Sequence, residues 1–290
     1  MMPAAIDFHV HPATRECTEA LAGPPEQTTN FFHGAVPLVS IDETAAEYRQ
    51  LGLVAVLLGI DAETTTGIPP VSNDYVADAV RRHPDVFVGF ASVDPWKGTL
   101  AVAELERAVR ELGLRGLKLH PGRQEFFPDD PRFAPLFAKC VELGIPALFH
   151  TGMMAAGAGT RGGGGLRLKY TRPVPHLDDL AAAFPDLTII AAHPAWPWQA
   201  EMLAVARHKA NVYLDLSGWS PRYFPPELVQ HANTLLQDRC LFGSDYPFIP
   251  PRRWLDDFAQ APFKDEVRPK LLYENARRLL SETGAVPGFA

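Results

Sequence analysis

IDFHVHP, residues 6–12, is the first of eight short apolar runs that together decide the fold of this chain. Side chains in an extended strand alternate between two faces, so the three polar residues of this run, Asp7, His9 and His11, are predicted to share one face. The three apolar residues of the run, Ile6, Phe8 and Val10, would take the other face. Two imidazoles converging on one side of a strand can bind a metal ion. Alternatively, they can belong to an edge strand with one face exposed to solvent.

The other seven apolar runs are separated by stretches with helical spacing and helix punctuation. Residues 99–113, for example, carry an apolar stripe, begin at a threonine and end at a glycine. Mostly apolar strands that alternate with helices predict a parallel sheet covered on both faces. The predicted strands are residues 5–10, 53–60, 86–93, 115–120, 145–150, 187–193, 212–217 and 240–245.

Eight strand–helix repeats within 290 residues favour one α/β domain over residues 1–290, a (β/α)8 TIM barrel. The chain contains no linker or break in composition that would indicate a second domain. An open, doubly wound sheet is the rival architecture, but no GxGxxG motif follows the first strand. In a barrel, the active site is expected on the loops that follow the strands.

Composition and charge exclude several classes of protein. A net charge of −7 and a pI near 5.8 argue against a nucleic-acid binder, which would carry a basic face. Cys17, Cys140 and Cys240 are scattered, which fits a reducing compartment better than a disulfide framework. The first residues do not resemble a signal peptide and no apolar run reaches membrane-spanning length. We expect a soluble cytoplasmic protein without a nucleic-acid or membrane partner.

Polar residues collect where the predicted strands end. Five of the ten histidines fall there, together with a lysine and an aspartate. Taken singly, each residue could be structural: Lys118 could pair with a buried carboxylate, His120 could orient the loop at Pro121, and Asp245 could cap a turn. The carboxyl ends of barrel strands meet at one rim, however, so we expect one cluster. Its members are His9, His11, Lys118, His120, His150, His193 and Asp245.

A cluster of imidazoles and one carboxylate, without a thiolate, suits Zn²⁺, with Mn²⁺ or Fe²⁺ as alternatives. Three histidines and an aspartate leave a coordination position for water or substrate. Such a site is catalytic in type rather than structural.

Six motifs in this order, IDFHVHP, GLKLHP, ALFHTG, IIAAHP, LFGSDYPF and ENARRLL, resemble the amidohydrolase superfamily. The resemblance is to the amidohydrolase-2 branch, related to aminocarboxymuconate-semialdehyde decarboxylase and aromatic acid decarboxylases. It implies a (β/α)8 barrel, a divalent metal that is usually zinc, and a homodimer. Matched motif to motif, it implies that His9, His11, His150 and Asp245 are metal ligands. It also implies catalytic roles for His193, as acid and base, and for Asp245.

Three functional hypotheses follow. The leading one is a non-oxidative decarboxylase of a small aromatic or unsaturated carboxylic acid, in which Asp245 or His193 moves a proton to carbon. The second is a hydrolase of an ester, lactone or amide, in which Asp245 takes the proton from water. A carboxylated Lys118 could then bridge two metal ions. The third is a barrel that only binds a ligand.

Several residues are predicted to bind the substrate. The loop after the fifth strand has no acidic residue from position 143 to 177 and carries four cations, which would attract an anionic substrate. The predicted substrate-binding residues are Arg15, Lys118, His120, Arg161, Arg167 and Trp196, and Lys169 and Arg172 complete the cationic loop. Aromatic residues in the loops suit a flat ligand; they are Phe31, Phe32, Tyr170, Trp196, Trp198, Trp219 and Phe248. The PPRRW segment, residues 250–254, is interpreted as the start of a helix.

Overall fold

The computed structural model of the chain describes residues 4–23 and 36–283. Within these residues, eight parallel strands pair in chain order, each with its neighbour in sequence. The predicted single-domain (β/α)8 barrel is therefore confirmed. The strands are β1 (Ala5–Val10), β2 (Leu53–Leu58), β3 (Phe87–Ser92), β4 (Leu117–Leu119), β5 (Ala147–His150), β6 (Ile189–Ala192), β7 (Val212–Asp215) and β8 (Cys240–Leu241).

Helices follow the strands and cover the outside of the barrel. Local signals set their ends: Ser40 and Glu43 form a capping box at the start of one helix, and Gly52 ends it in the left-handed conformation. The α-helices are α1 (Arg15–Ala22), α2 (Ile41–Leu51), α3 (Glu63–Thr66), α4 (Asn73–Arg82), α5 (Thr99–Arg110), α6 (Pro121–Gln124), α7 (Ala134–Leu143), α8 (His176–Ala183), α9 (Gln199–His208), α10 (Pro226–Ala232), α11 (Pro251–Gln260) and α12 (Asn275–Glu282). Single helical turns occupy Pro95–Lys97, Pro131–Phe133, Arg161–Gly165, Leu168–Thr171, Pro221–Tyr223 and Lys270–Glu274.

The apolar side chains form two layers. One cluster, which includes Phe8 and Phe90, fills the barrel interior, and helix α12 packs Leu279 and Leu280 against it. A larger cluster lies between the strands and the surrounding helices. The residue before β4 is Gly116, and its missing side chain leaves room for the Phe90 ring, which a Cβ at this position would overlap. The interior is thus a packed core, and the open space of the barrel lies at the strand ends.

The predicted faces of β1 are wrong, because a bulge interrupts the strand. Asp7 pairs with Ala55 and Val10 pairs with Leu57, so three steps along β1 match two steps along β2. An extra residue of this kind breaks the alternation of side chains. As a result Phe8 belongs to the interior cluster and Val10 to the outer one.

Asp7 consequently does not face the same way as the two histidines. Its carboxylate is fully buried and accepts hydrogen bonds from the Tyr48 hydroxyl (2.8 Å) and from the Ser244 backbone N–H (2.8 Å). Burial raises the pKa of Asp7 to about 6. Asp7 therefore links β1 to α2 and to the segment after β8.

The barrel closes between β1 and the segment that follows β8. Residues 242–245 were predicted to extend β8, but they leave the regular ladder and bond to the irregular end of β1. The Asp245 N–H donates to the His9 carbonyl (2.9 Å), and the His11 N–H donates to the Tyr246 carbonyl (2.8 Å). Asp245 has a left-handed φ of 72°, which these flanking hydrogen bonds hold in place. We call this junction the closing seam.

All three cysteines are buried and none forms a disulfide. In the part of the chain that the structure describes, every helix is too short or too polar to cross a membrane.

Candidate active site

A cavity of about 560 Å³ opens at the carboxyl ends of the strands; we call it the central cavity. This volume lies in the range typical of small-molecule sites. All seven residues of the predicted strand-end cluster line it, namely His9, His11, Lys118, His120, His150, His193 and Asp245. The topology thus brings together residues that are up to 236 positions apart in the chain, from His9 to Asp245.

Three side chains converge closely enough to hold a metal ion. The Nε2 atoms of His9 and His11 lie 3.2 Å apart, and the Asp245 Oδ1 atom lies 3.5 Å and 3.7 Å from them. We call these three atoms the donor set. His150 lines the same cavity, and its buried Nε2 has no hydrogen-bond partner among the described residues.

The hydrogen bonds behind His9 and His11 decide which nitrogen of each ring faces the cavity. The His9 Nδ1 lies 2.6 Å from the Asp215 carboxylate, and the His11 Nδ1 lies 2.7 Å from the Leu58 carbonyl. Both partners accept hydrogen bonds, so the Nδ1 atoms carry the protons and the Nε2 lone pairs point into the donor set. Two lone pairs and a carboxylate at these distances repel one another unless a cation lies between them, and the Lys118 amine lies within hydrogen-bond distance of only one of the three atoms, the His9 Nε2. The residues present therefore fit a divalent cation.

Burial keeps these imidazoles neutral, which is the form that binds metals. Desolvation, assisted by the charge of Lys118, lowers the pKa of His11 and of His150 to about 3 each. The same causes lower the pKa of His9. Burial raises the pKa of the Asp245 carboxyl, and a bound cation would favour its charged form.

Asp215 is a candidate site residue, in contact with the His9 Nδ1, that sequence reasoning missed. It ends β7, is fully buried, and is further held by the Ser217 backbone N–H at 3.0 Å. A Cβ at Gly243 would lie 2.2 Å from the Asp215 Oδ1, so the glycine of the FGSDYP segment makes room for this carboxylate. The signal was present in the sequence: an acid at the end of an apolar strand, as for Asp245.

His193 is held against the donor set by two contacts. Its Nδ1 lies 2.7 Å from the Ser217 hydroxyl oxygen, and its ring centroid lies 4.9 Å from that of His9. Gly218, with a left-handed φ of +74°, packs on the ring, and a Cβ there would lie 2.5 Å from the His193 Nδ1. Burial lowers the pKa of His193, so a neutral imidazole faces the cavity.

Strand β4 and the residue that follows it supply two further polar groups to the cavity, Lys118 and His120. Lys118 is 1% exposed, and its Nζ lies 3.1 Å from the His9 Nε2. Burial lowers the pKa of Lys118. The His120 ring stacks on His150 at 4.0 Å, and its Nδ1 accepts the Arg123 backbone N–H at 3.3 Å. Neutral His120 therefore carries its proton on Nε2.

Four of the predicted substrate-binding residues lie outside the described lining of the cavity. Arg15 is exposed and lies 3.9 Å from Glu19, and Arg167 lies 3.6 Å from Glu125. The other two, Arg161 and Trp196, are exposed.

Of the residues predicted for the cationic loop and for the aromatic lining, some line the central cavity and others do not. Arg172 lies 2.6 Å from Glu201, so an acid of the protein takes up its charge, and the Lys169 amine lies over the Tyr170 ring. Of the predicted aromatic residues, Trp219 and Phe248 line the cavity, whereas Phe31 and Phe32 lie outside the described residues.

The lining also contains residues that were not predicted. Apolar walls come from several loops, and Tyr223 and Arg253 contribute polar groups. Arg253 lies in the PPRRW segment, which does begin helix α11 as predicted. Sequence alone did not indicate that this arginine faces the cavity.

Residues 6–281 match the family described as Amidohydrolase. A relative, the gamma-resorcylate decarboxylase of Rhizobium radiobacter, is 24% identical over 301 residues, which covers 85% of this chain and 89% of that protein.

Two solved structures share the fold. An uncharacterized TIM-barrel protein from Bordetella bronchiseptica is 29% identical, covers 97% of this chain and 99% of its own, and has a TM-score of 0.80. A dihydroxybenzoic acid decarboxylase from Polaromonas sp. JS666, solved with manganese and the inhibitor 2-nitroresorcinol, is 23% identical, covers 97% of each chain and has a TM-score of 0.67. The family match spans nearly the whole barrel and all seven strand-end residues, so the chain is an enzyme that belongs to the amidohydrolase family.

Proposed function

We propose that this protein is a metal-dependent carboxy-lyase that removes CO2 from a small aromatic or unsaturated carboxylic acid without an oxidant. One observation carries the proposal: the donor set, buried Lys118 and His193 all line a single cavity with apolar walls. The similarity over most of the chain to a gamma-resorcylate decarboxylase supports the same reaction class.

The ligands that would hold the cation are His9, His11, His150 and Asp245. Imidazole and carboxylate ligands suit zinc, which we take as the first choice, and manganese is the alternative. The manganese bound in the Polaromonas decarboxylase supports the alternative. When bound, the cation would act as a Lewis acid that stabilises negative charge on substrate oxygens.

The protein's own residues would bind the acid and move the proton. The Lys118 ammonium would pair with the substrate carboxylate, and the His120 Nε2–H would donate a hydrogen bond to it. Trp219 and Phe248 would pack against a flat substrate.

In the reaction, the bond from the substrate carbon to the carboxylate carbon breaks and CO2 leaves. The electron pair stays on the substrate carbon, which takes a proton from His193 or Asp245. Neutral His193 or charged Asp245 would first accept this proton from a hydroxyl group of the substrate or from water. His193 is held by the Ser217 hydroxyl and by Gly218, so its ring is already oriented before the substrate arrives.

The test is a screen of hydroxybenzoates, including 2,6-dihydroxybenzoate, for CO2 release by protein loaded with zinc or with manganese. We expect release that stops on chelation and falls sharply in His193→Asn. Turnover of esters, lactones or amides alone would overturn the proposal.

A hydrolase with two metal ions is the second candidate, and the position of Lys118 favours it. Its buried amine lies 3.1 Å from the His9 Nε2. Burial lowers the pKa of Lys118, which favours the neutral amine, and this is the form that reacts with CO2 to give a carbamate. Two metal ions per chain, with the mass of one CO2 added at Lys118, would favour this reading.

The homodimer and the cytoplasmic location stay predictions. Light scattering of the purified protein measures the first.

A further inference from the structure

Arg253 lines the central cavity but takes no part in the reaction described above. It is the third residue of helix α11, and its side chain is exposed, whereas Lys118 is buried in the same cavity. Arg253 therefore lies at the mouth and Lys118 at the floor. Among the described residues that line the cavity, Arg253 is the only arginine.

The guanidinium of Arg253 forms no ion pair with a described residue. Asp257, one helical turn further along α11, is placed to be its partner by sequence spacing. The Asp257 carboxylate instead accepts a hydrogen bond from the Ser220 hydroxyl at 2.6 Å. By contrast, Arg172, which lies outside the cavity lining, is bound to Glu201 at 2.6 Å. As far as residues 4–23 and 36–283 are concerned, the donors of Arg253 thus remain available to a ligand.

The charges around the cavity exceed what one carboxylate neutralises. Asp245 is the one acidic residue in the described lining, and Lys118 and Arg253 are the cationic ones. A divalent cation on the donor set adds two more positive charges. A substrate with a single carboxylate, placed at Lys118, would leave the mouth of the cavity positive and unpaired.

We propose that Arg253 binds a second carboxylate of the substrate, so that the substrate class is a small dicarboxylic acid. This rests on the proposed function and narrows its substrate class. The planar guanidinium pairs with a carboxylate through two parallel hydrogen bonds, which gives direction as well as charge. One carboxylate lies at the reacting floor, and the other is held at the mouth and is retained in the product.

The experiment compares ligand binding to the metal-loaded protein, followed by calorimetry or by quenching of tryptophan fluorescence. The probes are benzoate, the three positional isomers of benzenedicarboxylate, and the neutral isostere 3-carbamoylbenzoate. The variants are Arg253→Met, Arg253→Lys and Arg252→Met. Arg252 is the exposed neighbour on α11 that does not line the cavity, so its variant is a matched control.

In the wild-type protein we expect at least one dicarboxylate to bind more tightly than benzoate and 3-carbamoylbenzoate. Arg253→Met should weaken that dicarboxylate about five-fold, since the group is exposed and partly screened by water, and should leave benzoate unchanged. Arg253→Lys should recover part of the loss, and Arg252→Met should resemble wild type. Equal binding of mono- and dicarboxylates by wild type, or equal weakening of both in Arg253→Met, would overturn the inference.

Failure of the inference and failure of the proposed function give different results. If dicarboxylates bind through Arg253 but no acid releases CO2, the reaction class is wrong and the binding site stands. If monocarboxylates release CO2 equally well in wild type and Arg253→Met, and dicarboxylates show no advantage, the reaction class stands and the role of Arg253 is refuted.

Discussion

Gly218→Ala isolates the contribution of the His193 orientation to turnover. The alanine Cβ would lie 2.5 Å from the His193 Nδ1 and 2.7 Å from its Cγ, far inside van der Waals contact. The ring must move, since the three atoms nearest to this Cβ all belong to His193 and not to the donor set. The substitution therefore separates the proposed proton-transfer group from the proposed metal ligands.

The backbone strain of this variant needs its own control, which the chain supplies at Gly113. Both glycines are left-handed, with φ of +74° and +76°, but nothing lies within 4 Å of a Cβ at Gly113. Each alanine would cost about 1–2 kcal/mol of left-handed strain. At about 2–4 °C for each kcal/mol in a protein of this size class, backbone strain alone should lower the Tm of each variant by roughly 2–8 °C, and the contact with the His193 ring adds to the loss in Gly218→Ala.

Activity should distinguish the two variants. Displacing a general acid or base typically lowers kcat by about 100-fold or more, so we expect that loss in Gly218→Ala and near-normal kcat in Gly113→Ala. Metal content, measured by mass spectrometry, should equal wild type in both. If Gly218→Ala turns over substrate as fast as Gly113→Ala, the orientation of His193 by Gly218 does not matter for the reaction and the reasoning fails.

Three further predictions concern buried groups away from the substrate. Asp215→Asn should lower metal affinity by about 10–100-fold, because the anionic partner of the His9 Nδ1 is lost; unchanged affinity in a chelator competition would contradict this. Tyr48→Phe removes the hydroxyl donor to buried Asp7 and should lower the free energy of unfolding by about 1–3 kcal/mol, measured in urea. A variant as stable as wild type would show that the bond is dispensable. The three cysteine thiols should resist alkylation at pH 8 in the native state, because burial raises the pKa of each, to about 12 for Cys17 and for Cys240, and should all react in denaturant. Rapid labelling of any one of them without denaturant would argue against its burial.

The barrel itself could be predicted because every strand carries its own signal. Buried parallel strands are apolar on both faces, so they stand out as runs such as residues 53–60, and capping residues mark the helices between them. The strand-end cluster followed from topology alone, since the carboxyl ends of parallel strands meet. The face pattern of β1 could not be predicted, because the bulge depends on pairing with β2 and on the closing seam.

Charged residues in loops were predicted less well for a related reason. Whether Arg167 or Arg172 reaches the cavity depends on where Glu125 and Glu201 lie in space, and these acids are far away in the sequence. Arg253 was not predicted as a site residue because its segment has the pattern of a helix start. A residue in the first turn of a helix can also line the cavity, and the pattern does not indicate this. Contacts between residues far apart in the sequence decide whether such a side chain reaches the cavity, and the local sequence pattern carries no information on those contacts.

A barrel closes only if its first strand is joined to its last. In this protein that junction, the closing seam, coincides with the proposed cation site. His9 lies in β1 and His11 directly follows it, whereas Asp245 belongs to the segment after β8. The two sides meet through few backbone hydrogen bonds. An ion held by both sides would bridge the junction that closes the ring. Occupancy at one hundred times its dissociation constant would add about 2.7 kcal/mol to the folded state. Metal supply would then govern how long the enzyme survives in the cell as well as how fast it works.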